Sequence, residues 1–304
     1  PLNSEPAVPP PPSWKNSDER AAKLRRVKDS VAPFFEPMRQ PQQSDWLASF
    51  PEPGQTFEEY LNENPTLPTE ERTTIYIQPV GRFSETQRRV LRMTADYLNA
   101  FYRLPVKLNA ETALENVPPA FQRKKTSEGQ RQIKTHYFLN RLLPTMLPAD
   151  AAALICFTSE DLWPGDDWNY VFGQASFKDR VGVWSLRRLG KPDRSEKDYR
   201  RFLARTLKLA MHETGHMFSL RHCAKYECLM SGTNHLGETD RRPLDVCPEC
   251  MAKICWAMNY EPSERYLRLA DFWKKQEWTE EGNSFLKKAE AINSEMNKLN
   301  DSSN

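Results

Sequence analysis

Apolar residues recur along this chain at two spacings, and the switches between them predict its elements. Residues 73–80, Thr-Thr-Ile-Tyr-Ile-Gln-Pro-Val, are rich in β-branched side chains and are bounded by Pro79 and Gly81, which predicts a strand. Ser84 with Gln87 forms a capping box. Val90, Leu91, Ala95, Leu98 and Phe101 then follow at helical spacing, and a short strand over 106–108 completes a βαβ unit. A second helix is predicted over 132–142 and an apolar strand over 152–157. Two further β-rich runs, 170–175 and 181–186, flank a polar turn at Lys178-Asp179, so this pair is predicted antiparallel and the sheet mixed.

Ser195 is placed to cap a long helix whose buried stripe is Tyr199, Phe202, Leu203, Leu207, Ala210 and Met211. His212 and His216 fall on the adjoining face of that helix, apart from the core stripe. Ser263 is the expected cap of a helix carrying Tyr266, Leu267, Ala270 and Trp273. In a last helix after Thr279, Phe285, Ala289, Ile292, Met296 and Leu299 alternate spacings of four and three, which suits packing on its own domain or on a partner helix. Upstream, a short helix is predicted over 18–31, followed by an irregular stretch with turn signals such as Pro51-Glu52-Pro53-Gly54. These patterns predict an α/β fold, a twisted mixed sheet of five strands with two long helices on one side. Three segments are expected: a Pro-rich, irregular extension over 1–71, a main domain over 72–275, and an amphipathic helix over 276–304.

A length of 304 residues accommodates one large domain with extensions. Lys and Arg total 43 against 41 Asp and Glu, so no global field points to nucleic acid or an acidic membrane. Arg241-Arg242 is too small a basic cluster to suggest a nucleic-acid module. There is no run of eighteen apolar residues, and 1–14 is proline-rich rather than basic and then apolar, so neither a membrane span nor a secretory leader is expected. The chain opens on proline, which leaves open what precedes it. Pro9 to Pro12 read as an extended tail or a docking motif. Oligomeric state is not legible.

Most of the histidines and cysteines crowd into residues 211–250. His212 and His216 stand four apart, so on a helix both imidazoles leave one face and can share a tetrahedral Zn²⁺, with Glu213 beside them as general base. His222 completes three protein ligands if the helix ends and the chain turns back; otherwise it is a loop histidine beside a second metal. That second metal is suggested by Cys223, Cys228, Cys247 and Cys250, whose spacing is that of a zinc site and whose thiolates suit a reducing, cytosolic or nuclear compartment. Cys255 is the rival fourth ligand, kept out because Cys247-Pro-Glu-Cys250 is the tighter knuckle. His235 reads as a solvated loop residue and Cys156 as a small core hydrophobe. Two Zn²⁺ per chain and a peptide or protein substrate are expected. A non-catalytic two-zinc scaffold is the alternative, and Glu213 beside an open coordination position argues against it.

The layout H-E-x-x-H, then a turn, then His222, with Met230 after it, resembles the metzincin metalloproteases. The four cysteines resemble one branch, the archaemetzincins, as do the runs 161–176 and 180–186. This resemblance implies a metzincin-like catalytic domain with a small zinc-knuckle subdomain, and Met230 beneath the zinc ligands as structural support. It also implies an upper edge strand, placed at Val171, Phe172, Gly173, Gln174 and Ala175, that pairs with an extended substrate. Where the family pattern has glycine, this chain has Ser219, and a left-handed turn there should cost serine about 1 kcal/mol.

Overall fold

The computed structural model describes residues 18–125, 130–166, 168–176 and 178–301; the proline run at 9–12 lies outside them. These residues divide into two compact units. One takes in 18–70, 96–105 and 219–301, the other 71–95 and 106–218. In the first, the chain starts with α1 (Asp18–Lys28) and a 3-10 turn (Asp29–Phe34), then α2 (Trp46–Ser49) and α3 (Phe57–Asn62). Sequence patterning missed α2 and α3, because helices this short show no full period. α3 nevertheless carries a complete capping box, Thr56 with Glu59.

The second unit is built on a sheet. β1 (Thr74–Val80), α4 (Glu85–Tyr102, whose residues from 96 on count with the first unit) and β2 (Val106–Leu108) form the expected βαβ unit. Ser84 and Gln87 exchange the two bonds of the capping box. Next come β3 (Gln122–Lys125), β4 (Gln130–Lys134), a short α5 (Thr135–Tyr137), β5 (Ala151–Thr158), β6 (Asp161–Trp163), β7 (Gly173–Ala175), β8 (Val181–Ser185) and α6 (Glu196–Met217). The five-stranded sheet runs β2-β1-β5-β8-β7. Its first four strands are parallel, with Ile77 opposite Ile155 and Ile155 opposite Gly182, and β7 closes it antiparallel with Gln174 opposite Val183. This is the mixed sheet that the sequence predicts. β5 is buried along its whole length because both of its faces are covered. Leu154, Cys156, Val181 and Val183 pack with Ile133, Phe138 and Leu143 on one face. On the other, Gly182 leaves room for Trp184 and Met217, and the Trp184 indole donates to the Leu209 carbonyl of α6 at 3.0 Å.

The helix expected over 132–142 is corrected at its start. Residues 130–134 are strand β4, which with β3 and β6 makes a second, three-stranded sheet; helical turns follow only from Thr135. Pairing overrides local propensity there: Gln132, opposite Asp161, is buried and donates to its carboxylate at 2.8 Å.

The first unit ends with α7 (Leu236–Arg241), α8 (Pro248–Ala257), α9 (Pro262–Lys275) and α10 (Thr279–Asp301). α8 is its central helix, buried almost all round, with α1, α3 and α9 packed on it. The cap of α9 is Glu261, not Ser263, because Pro262 fits the first helical position, where its missing N–H and fixed φ cost nothing. Phe285, Ala289 and Ile292 of α10 are buried in its packing on α9. Beneath α9 and α10, the buried Asp245 accepts from Arg265 at 3.1 Å and Lys288 at 2.9 Å. Burial would push its carboxyl up, but these two cations outweigh that and hold it below its ordinary value. No helix among the described residues is long and apolar enough to cross a membrane.

Candidate functional site

Ser195 caps α6 by accepting the Asp198 N–H. Sixteen residues of amphipathic helix then bring His212 and His216 to the C-terminal turns, where their Nε2 atoms lie 3.0 Å apart with the rings at 88°. Two imidazole nitrogens aimed at one point need a proton or a cation between them. Zn²⁺ at about 2.0–2.1 Å from each would set them somewhat over 3 Å apart. Glu213 projects from the same turn. Desolvation pushes its carboxyl up to about 7, so near neutrality it can both take and return a proton.

The helix ends at Met217, and the Phe218 N–H folds back to the Thr214 and Gly215 carbonyls. Ser219 follows with φ of 65°, the left-handed conformation that the family pattern meets with glycine. Its side chain explains the departure. The Ser219 hydroxyl accepts the Thr66 N–H at 2.9 Å, and its carbonyl accepts from Gln55 Nε2 at 3.3 Å. Gln55 Oε1 in turn accepts the Arg221 N–H at 3.1 Å, and Lys253 holds Gln55 from α8. The turn is thus strapped by residues of the N-terminal segment.

His222 accepts the same strap. Its Nδ1 lies 2.8 Å from one oxygen of Glu52 and 3.1 Å from the other, and its ring stands edge-on to Trp46 at 5.2 Å. Nothing in the sequence singled out Glu52, which sat in a turn signal, or Trp46. A carboxylate 170 positions from its histidine leaves no local pattern. His212, His216 and His222, all within one short stretch of chain, form a group with the donor chemistry to hold a metal ion.

The four cysteines form a second such group, their sulfurs all within 4.8 Å of one another and buried. Cys223 and Cys247 sulfurs are 3.6 Å apart, close to the roughly 3.8 Å edge of a tetrahedron with Zn–S of about 2.3 Å and far from a disulfide bond. Backbone N–H groups of Met230 and Cys247 point at Cys228 Sγ, at 3.4 and 3.2 Å, as suits a thiolate. Hydrogen bonds from Cys228, Cys247 and Cys250 hold Cys223 well below the usual thiol range, while burial pushes Cys228 and Cys247 up. Such a set needs a dication to carry more than one thiolate. Cys255 stands apart on α8 against Met251 Sδ at 3.7 Å, and burial pushes it up to about 12. Met230 is fully buried, and its carbonyl accepts the Cys223 N–H at 2.9 Å.

A third cluster, Asp45, His235 and Glu238, has ligand atoms equally close but the wrong surroundings. Asp45 already binds Arg241, Glu238 binds Arg242 and two backbone N–H groups, and His235 caps α7 by accepting the Glu238 N–H. A cation there would face two guanidinium groups, so this is an ion-pair network.

The edge strand is shorter than expected. β7 covers Gly173, Gln174 and Ala175, whereas the Val171 N–H is taken by the Leu162 carbonyl at 3.1 Å and the Phe172 carbonyl accepts the Ser185 N–H. Because Phe172 and Ser176 bond to β8, the alternation of an antiparallel ladder turns the peptide groups of Gly173 and Ala175 outward.

Comparison with known proteins gives these sites their setting. Residues 148–255 match the model of peptidase family M54. Archaemetzincin-2 of Rattus norvegicus is 34% identical over 86% of this chain and 82% of its own, and human archaemetzincin-2 is 34% identical over 82% and 78%. A crystal structure of archaemetzincin from Methanopyrus kandleri aligns at 26% identity and a TM-score of 0.48, covering 60% of this chain and 93% of that one. The chain belongs to the archaemetzincins, the zinc metallopeptidases of peptidase family M54.

Proposed function

We propose that this chain hydrolyses peptide bonds at a zinc ion held by His212, His216 and His222, with Glu213 as general base, and that a second zinc is enclosed by Cys223, Cys228, Cys247 and Cys250. The donor sets support this division. Three neutral imidazoles leave a coordination position open, whereas four thiolates close the sphere. Zinc at the first site supplies Lewis acidity, which polarises a carbonyl and makes water a nucleophile near neutral pH. Glu213 takes the proton of the attacking water and delivers it to the leaving amine, a double task that suits a carboxyl pushed up to about 7 by desolvation. Gly173 and Ala175 offer outward backbone groups to an extended peptide, so affinity comes from strand pairing and selectivity from side-chain pockets. Met230 gives structural support to the zinc ligands, a role that suits its full burial and its carbonyl bond to the Cys223 N–H. The cysteines are all unbridged, and thiolate chemistry supports a reducing compartment, cytosolic or nuclear.

The observation that carries the reading is the pair of Nε2 atoms 3.0 Å apart on α6 with a desolvated glutamate on the same turn. Glu213→Gln tests it. Glutamine keeps the shape but accepts no proton, so peptide cleavage should fall by about 10²–10⁴-fold with zinc content and melting temperature unchanged. Undiminished cleavage by that variant would remove Glu213 from the mechanism.

A further inference from the structure

We infer that Glu52 is a positioning residue for the catalytic metal: it fixes the tautomer and direction of His222, so that the N-terminal segment is part of the metal site. The inference rests on the reading of His222 as a zinc ligand. The Glu52 carboxylate accepts only, so the imidazole that faces it at 2.8 and 3.1 Å carries its proton on Nδ1 and turns the lone pair of Nε2 away. That is the tautomer a metal ligand of this kind needs.

Glu52 is itself held in place. The Trp46 indole N–H donates to Glu52 Oε1 at 3.0 Å, and the Trp46 backbone N–H is bound by the buried Glu238. A side chain on Gly232 would collide with the Trp46 ring, so this glycine leaves the space in which the ring sits. Just beyond, Gly54 lies against the backbone of His222 and Ala224, where a Cβ would meet Ala224 N at 3.2 Å. With Gln55 and Thr66 on the Ser219 turn, residues 45–66 therefore fix both the path of the chain from Ser219 to Ala224 and the rotation of the one imidazole on it.

The test is competition of the full chain with a graded zinc chelator, alongside the visible spectrum of the Co²⁺-substituted protein. Glu52→Gln keeps the shape but loses the charge, and Glu52→Ala removes the partner. Both should weaken the more accessible zinc by about 10–100-fold, with Ala the larger, and shift the Co²⁺ bands, while the cysteine-held zinc stays bound. Two results overturn the inference. In one, the parent binds two zincs and both variants hold the accessible one within twofold of parental affinity. In the other, the melting temperature falls while affinity and spectrum stay unchanged, as a purely structural contact would give. A parent that binds zinc only at the cysteines fails the underlying reading, and this inference falls with it.

Discussion

As candidate metal sites, the four-cysteine cluster and the histidines of α6 are built in opposite ways. The cysteines come from loop positions and the start of α8, the residues are buried, and two backbone N–H groups point at the sulfur of Cys228. The histidines stand on a long capped helix, His212 half-buried, with a carboxyl beside them that burial has brought to about 7. In the function proposed here, closure more than ligand chemistry separates a structural metal site from a catalytic one. A complete donor shell contributes folding energy, and an incomplete one leaves room for chemistry.

Opening the four-cysteine site should have the largest effect. Cys247→Ser or Cys250→Ser leaves three thiols where four were arranged and frees the loop whose Met230 carbonyl holds the Cys223 N–H. Stability should fall by roughly several kcal/mol, and zinc content to one or fewer per chain. Thermal melts combined with elemental analysis read both. Two retained zincs with an unchanged melt would show that these cysteines are not ligands.

A smaller change sharpens the contrast between the two sites from the other side. From sequence, Ser219→Gly should relieve strain at a left-handed position. The structure reverses that sign, because Ser219 Oγ accepts the Thr66 N–H at 2.9 Å. Glycine gains about 1 kcal/mol in backbone ease but leaves a part-buried N–H without its partner, at about 1–3 kcal/mol. A modest net loss of stability, below about 2 kcal/mol, is expected in the melt of this variant. A clear gain would mean that the hydroxyl contributes nothing.

What the sequence disclosed and what it hid follow from range. β-rich apolar runs and helical spacings made β1, β5, β8, α4 and α6 legible, since each carries the apolar residues that bury it. The strand β4 was mistaken for helix because its state is decided by β6, some thirty residues on. The ligand candidates were legible because metal geometry forces short spacings, as from His212 to His216. Glu52, Trp46 and Gln55 were not, because their partners at His222, Ser219 and Arg221 are more than 160 positions away and the contacts depend on the fold itself.

The most direct test of the account is to measure zinc content and peptide cleavage on one sample while a chelator is titrated in. Cleavage should disappear in step with the first zinc lost, at a point where the second is still bound and the chain still folded. Cleavage that persists after the first zinc has gone, or that falls only with the second and with unfolding, would contradict it.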